Sequence, residues 1–236
     1  VRCAAHSEQQ ARNKRATSAR ASHRIPNMPE WYRYVCDNQV ARVAVAEING
    51  KLVKDEPLCL DLEFDSHDAD NLPLALMQVA VGQEPVHVFD AMHLPDFDRC
   101  EPPAYMVGQS LAEIIQDPDV TVVMHGATQD KKVLKKRGLS ITRLFDTQIV
   151  HEKLTGEKTK SLQHVVKFWL NVELSKGGEQ MKAFMRKPHA WLGRPLPDFI
   201  LKYAADDVRH LPAVYKVMSR ELAVSDYENQ SLLGAL

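Results

Sequence analysis

The chain has 236 residues, 44% of them hydrophobic and 26% charged, which is enough for one substantial core. Its 30 basic and 31 acidic residues nearly cancel, which excludes a global pull toward nucleic acid or an anionic membrane, so any polyanion site has to be local. No apolar run approaches the roughly 20 residues of a membrane span, and Cys3, Cys36, Cys59 and Cys100 form no CxxC pair. That spacing argues against a zinc site and a disulfide framework, so a soluble protein of a reducing compartment is expected, in the cytoplasm or nucleus.

Residues 1–28 read as a basic, disordered tail: the stretch through Arg24 carries six basic residues against one acid and few large apolar groups. An organelle-targeting remnant and an arm that touches RNA both fit that composition. A flexible linker cut from a longer protein fits it best, since the chain opens on Val. Residues 29–225 read as one domain without internal repeats, and residues 226–236 as a C-terminal tail.

Within the domain, DNQVARVAVAEINGKL spaces Val40, Val43, Ala44, Glu47 and Ile48 as a helix does, although its β-branched residues also suit a strand. Strands are predicted at Leu58 to Phe64, Leu74 to Val81 and Val86 to Asp90, with Gly82 and Pro85 marking a hairpin or a short loop between the last two. A helix over Ser110 to Gln116 leads to VTVVM, Val120 to Met124, a β-branched run of the kind found in buried parallel strands. A helix near Thr128 to Arg137 stops at Gly138, a short strand follows at Arg143 to Phe145, and helices run from Thr147 onward. The sum is an α/β domain with a mixed five-stranded sheet flanked by helices.

The strand LCLDLEF poses a physical problem. Side chains alternate along a strand, so Leu58, Leu60, Leu62 and Phe64 share one face while Cys59, Asp61 and Glu63 share the other. The α-carbons of Asp61 and Glu63 lie roughly 7 Å apart at the usual strand rise, so like charges are brought together unless water, protons or a cation relieves them. Two further acids are placed to join them. HGATQD puts Asp130 in the first turn of the helix after VTVVM, near the carboxyl end of a strand, where open α/β sheets bind ligands. LKYAADDVRHL puts Tyr203 and Asp207 four residues apart, on one helix face.

This ordered set resembles the proofreading-type 3′ to 5′ exonucleases, the DEDD superfamily with a ribonuclease H-like fold, and within it the tyrosine-bearing branch that includes ribonuclease D. LFDTQIVHEKL, SLQHVVKFWLNVELSK and PHAWLGRPLPDFILKYAADDVRHLPAVY look like ribonuclease D segments in their expected order, and HGATQDKKVLKKRGLSITRLFDTQIV is closer to the Egalitarian-like group. The histidine-bearing branch carries HxxxxD at the third motif; here that first position is Lys202, while YxxxD is intact. The resemblance implies that Asp61, Glu63 and Asp207 hold one divalent ion, that Asp61 bridges to a second supported by Asp130, and that Tyr203 orients the attacking water. Mg²⁺ or Mn²⁺ is the implied cofactor and the 3′ end of single-stranded RNA or DNA the implied substrate, RNA favoured. Leu62 and Phe64 are candidates for stacking or wedging, and Arg194 for a phosphate contact. A protein partner for recruitment is also expected. The alternative is an RNA-binding or partner-binding adaptor on the same platform, a reading that normally goes with loss of the acids that are intact here.

The remaining features have plainer readings. Asp146 caps the helix at Thr147, His125 fixes a strand end by hydrogen bonding, Trp191 anchors core, and Met181, Phe184 and Met185 are packing residues. Lys131, Lys132, Lys135, Lys136 and Arg137 read as a wetted helix face, with RNA tracking as the alternative.

Overall fold

A computed structural model describes residues 31–52, 56–83, 85–104, 108–175 and 177–233, with side chains to residue 225. The tail expected over residues 1–28 lies outside them. Six strands form one sheet in the order β1-β4-β3-β2-β5-β6: β1 Tyr32–Val35, β2 Leu58–Phe64, β3 Leu74–Val81, β4 Val86–Asp90, β5 Val122–Met124 and β6 Leu144–Asp146. β2, β3 and β4 pair antiparallel, while β1 on β4, β5 on β2 and β6 on β5 pair parallel. The sheet is mixed, as expected, but has six strands rather than five. The added strand, YRYV, is only four residues long and lies at the edge, paired to β4 alone.

The even positions of β2 build the main core. Leu58, Leu60 and Leu62 are at most 4% exposed and cluster with Ala41, Ala44, Val45 and Ile48 of α1 (Asn38–Lys51), Leu111, Ile114 and Ile115 of α2 (Leu111–Gln116), and Val133 and Leu134 of α3 (Thr128–Lys136). The ambiguous DNQVARVAV segment is therefore a helix: its buried residues recur at i, i+3, i+4 and i+7, and Asp37 caps it by accepting from the amides of Gln39 and Val40 at 2.8 and 3.2 Å. α2 begins with a capping box, in which Ser110 Oγ accepts from the Glu113 amide and the Glu113 carboxylate accepts from the Ser110 amide. Ser110→Ala is expected to cost about 1 kcal/mol, read as a lower urea midpoint with an unchanged slope.

α4 (Thr147–Thr155), α5 (Leu162–Leu170), α6 (Gly178–Met185), α7 (Asp198–Arg209) and α8 (Leu211–Leu233) complete the chain. α8 continues past residue 225, where the sequence suggested a tail. α7 packs on β1, β2, β3 and β4. It buries Ile200, Leu201, Ala204, Ala205 and Val208, and the two alanines let its axis come close to the strands. Among the described residues, no helix is long and apolar enough to cross a membrane, and Cys36, Cys59 and Cys100 are free thiols.

Candidate active site

The close approach of α7 to the odd-numbered face of β2 creates the site. One ligand-capable oxygen from each of Asp61, Glu63 and Asp207 lies within 4.8 Å of the others, and all three residues are only partly buried. Like charges at that spacing repel unless a proton or cation intervenes. Tyr203, one turn before Asp207, joins them: burial, then the negative charge of Asp207, Glu63 and Asp61, and a hydrogen bond with Asp207 push its hydroxyl well above the usual phenol range. It is held as the neutral phenol, able to donate or accept a hydrogen bond.

Asp130 approaches from the first turn of α3 and does not belong to the same 4.8 Å group. It is 8% exposed. Burial pushes its carboxyl up to about 6, and repulsion from Asp146 adds to this, against hydrogen bonds from its own amide and from the Leu62 amide. The Leu62 amide belongs to the residue between Asp61 and Glu63, so that bond ties the fourth acid to the strand carrying the first two.

Asp146 sets the entry to α3. Besides accepting from the Gln148 amide as a cap of α4 at 3.0 Å, its carboxylate accepts from the amides of Gly126 and Ala127, each at 2.9 Å. The turn needs Gly126 because its φ is +67°, a conformation costly for a side chain. His125 fixes the end of β5: the Lys160 carbonyl can only accept, so His125 Nε2 donates to it at 3.1 Å, while Nδ1 pairs with Thr147 Oγ1 at 2.9 Å, a hydroxyl that also lies 3.1 Å from the Met124 carbonyl. Both sequence readings hold, but the second role of Asp146, locking the turn that aims Asp130, was not visible without the fold.

Two clefts open at the acid cluster. One, of about 270 Å³, is lined by Asp61, Asp207, His125, Gln148, Ser161, Leu162 and Leu211. The other, of about 210 Å³, is lined by Glu63, Phe64, Asp65, His67, Met185, Lys187 and Trp191, among others. In its wall Asp65 accepts from the His67 amide and faces the Nδ1 atoms of His67 and His189.

Several expected positions are relocated. Leu62 is 4% exposed within the core and presents no side chain to a ligand, because it shares the even face of β2 with Leu58 and Leu60. Phe64 is half-buried and does line the second cleft. Arg194 is spent on Asp90, to which Nε and Nη2 donate at 2.6 and 2.8 Å, and on the carbonyls of Ala75, Trp191 and Gly193; it is a structural ion pair rather than a phosphate contact. Met185, read as packing, is 52% exposed at the second cleft, while Met181, Phe184 and Trp191 are buried as expected. Of the basic run, Arg137 pairs with buried Asp98 at 2.8 Å, and Lys131, Lys132 and Lys135 stand exposed.

Another group with ligand-like spacing, His151, Glu157 and His164, was not anticipated. Trp169 Nε1, which can only donate, reaches His151 Nδ1 at 3.0 Å, so His151 carries its proton on Nε2 and donates it to Glu157 at 3.3 Å. A ligating imidazole instead donates from the nitrogen away from the metal, so this group reads as a hydrogen-bonded staple. It anchors the loop that brings Ser161 to the first cleft.

A mixed sheet flanked by helices, with carboxylates gathered where α7 crosses β2, defines a ribonuclease H-like domain. Residues 33–223 match the 3′-5′ exonuclease family, and the chain belongs to that family. It is 27% identical over 201 residues to ribonuclease D of Haemophilus influenzae, covering 85% of this chain and 44% of that protein. To human exosome complex component 10 it is 30% identical over 179 residues, 75% of this chain and 18% of that one. The chain thus spans less than half the length of either relative. Among solved structures, ribonuclease D of Trypanosoma brucei superposes with a TM-score of 0.66 at 22% identity, over 79% of this chain and 64% of that one. Escherichia coli ribonuclease D gives 0.64 at 22% identity, over 83% and 46%. At that identity the superpositions speak for the fold alone.

Proposed function

We propose that this chain removes nucleotides from the 3′ end of single-stranded nucleic acid, RNA in preference to DNA, releasing nucleoside 5′-monophosphates with the aid of two divalent cations, Mg²⁺ or Mn²⁺. The observation that carries the reading is the meeting of Asp61, Glu63 and Asp207 within 4.8 Å, with the Tyr203 hydroxyl bonded to Asp207. An all-oxygen donor set suits hard divalent cations. Three carboxylates so close are otherwise a destabilising arrangement, which bound cation charge relieves. A pair of such ions, when bound, activates a water and neutralises charge on the leaving oxygen of an in-line displacement.

The protein's own groups do the rest. Asp61, Glu63 and Asp207 hold the cations from β2 and α7, with Asp130 as the fourth ligand supported from α3. Tyr203 belongs to the tyrosine-bearing branch of the DEDD pattern and orients the attacking water through its hydroxyl, which as a neutral phenol positions a proton rather than removing one. Phe64, in the cleft beside Glu63, offers a face for a base to stack on. The preference for RNA draws on the ribonuclease D relatives and on the Trypanosoma brucei ribonuclease D structure in complex with RNA U12.

Two predictions follow from these roles. Tyr203→Phe keeps the ring and loses the hydroxyl, so kcat is expected to fall about 10²- to 10⁴-fold with KM little changed. Protons compete with the cation at Asp130, whose carboxyl titrates at about 6 without one, so the Mn²⁺ concentration for half-maximal rate should rise as pH falls below about 6. A half-maximal concentration flat between pH 7 and 5 would remove Asp130 from the ligand set.

The test of the whole reading is digestion of matched RNA and DNA strands with free and with blocked 3′ ends, in Mn²⁺ and in EDTA. Free-ended RNA should shorten stepwise to 5′-monophosphates only with Mn²⁺. Equal cleavage of blocked strands would make the enzyme an endonuclease, and tight binding without shortening would leave the adaptor.

A further inference from the structure

The run LALMQVAV in β3 holds one polar residue, Gln78. It is 0% exposed, and neither its Oε1 nor its Nε2 has a hydrogen-bond partner. A buried amide without partners destabilises a fold, and an apolar side chain of similar volume would fill the space without that penalty. Stability therefore gives no reason for a glutamine here. The register does: Gln78 stands directly opposite Asp61 in the antiparallel β2·β3 pair. Opposed residues of such a pair point to the same face, with Cβ atoms about 4.5–5.5 Å apart. Gln78 thus shares a face with Asp61, one of the three clustered acids, on the side of the sheet that α7 covers.

We propose that Gln78 is a positioning residue for the acid cluster: its Nε2–H donates to the Asp61 carboxylate when Asp61 takes up a divalent cation, fixing the direction of the lone pairs offered to the ion. The inference rests on reading the cluster as a divalent-cation site. A neutral donor suits this place, because a lysine or arginine would compete with the cation and an aliphatic residue could donate nothing to the carboxylate. The glutamine side chain is long enough to bridge the gap by a change of rotamer. Ligating carboxylates are commonly held by such an outer hydrogen bond, and its loss typically weakens metal binding about 10- to 100-fold.

The experiment is Mn²⁺ titration calorimetry on the full chain without nucleic acid, paired with the thermal midpoint in EDTA, for wild type, Gln78→Met and Gln78→Leu. Both variants should melt in EDTA at or above the wild-type temperature, since each removes an unpaired buried amide, and both should bind Mn²⁺ at least about tenfold more weakly. The inference is overturned if either folded variant binds Mn²⁺ as tightly as wild type, or if binding and midpoint fall together. It is equally overturned if neither variant folds, because the role assigned to Gln78 is not structural. A wild-type chain that binds no Mn²⁺ sinks the cation reading along with it, whereas wild-type binding that both variants preserve sinks only the role of Gln78.

Discussion

Asp61→Asn is expected to reduce Mn²⁺-dependent removal of 3′ nucleotides about 10³-fold while leaving the chain folded. The magnitude follows from taking one oxygen charge from the cation site: at about 1.4 kcal/mol per tenfold, a loss of about 4 kcal/mol of transition-state stabilisation is what such ions supply. The stability consequence has the opposite sign. Asp61, Glu63 and Asp207 repel one another without a cation, so in EDTA the variant should melt no lower than wild type. Adding Mn²⁺ should raise the wild-type midpoint and leave that of Asp61→Asn nearly unmoved, because only a ligand that binds the native state shifts it. Activity within tenfold of wild type would mean that the carboxylate does not serve the chemistry.

Arg194→Met is expected to be the most destabilising single change away from the acid cluster, costing about 3–5 kcal/mol. Its partner Asp90 is 0% exposed, and Arg194 itself is only 13% exposed. Burial alone would raise the Asp90 carboxyl, but the hydrogen bonds from Arg194, Tyr34 and His93 outweigh it and hold the group well below the usual carboxylate range. A carboxyl depressed in the folded state contributes stability above its unfolded value of about 3.9 and loses it as pH falls toward the folded value. In Arg194→Met the stranded carboxylate escapes its penalty by taking a proton. The gap between variant and wild type should therefore be widest near pH 7 and narrow as pH approaches about 4. Thermal melts across that range check it; for a domain of this size the neutral-pH difference corresponds to about 10 °C. A double variant, Asp90→Leu with Arg194→Met, should recover much of the loss, since neither charge is then left alone.

What the sequence disclosed, and what it hid, divides along the range of the interactions. β2, β3 and β4 were legible because their apolar runs are bounded by turn residues, and α2 because Ser110 and Glu113 spell its capping box locally. The acids of β2 and the Tyr203–Asp207 pair were legible because alternation and helical periodicity set which side chains share a face. β1 escaped because four residues at a sheet edge carry too little alternation to read as a strand. Arg194 looked free because Asp90 lies 104 residues away, and no local rule announces that partner. The His151, Glu157 and His164 group is likewise assembled by the packing of α4 and α5. Gln78 did leave a signal, a lone amide in an apolar strand, but its meaning depends on the register that sets it opposite Asp61.

The most direct test is anomalous diffraction at the manganese edge from a crystal of the wild-type chain soaked in MnCl₂. Two peaks about 4 Å apart are expected, one among Asp61, Glu63 and Asp207 and the second between Asp61 and Asp130. A map with the four carboxylates ordered and no manganese among them would contradict the metal-dependent hydrolysis proposed for this site.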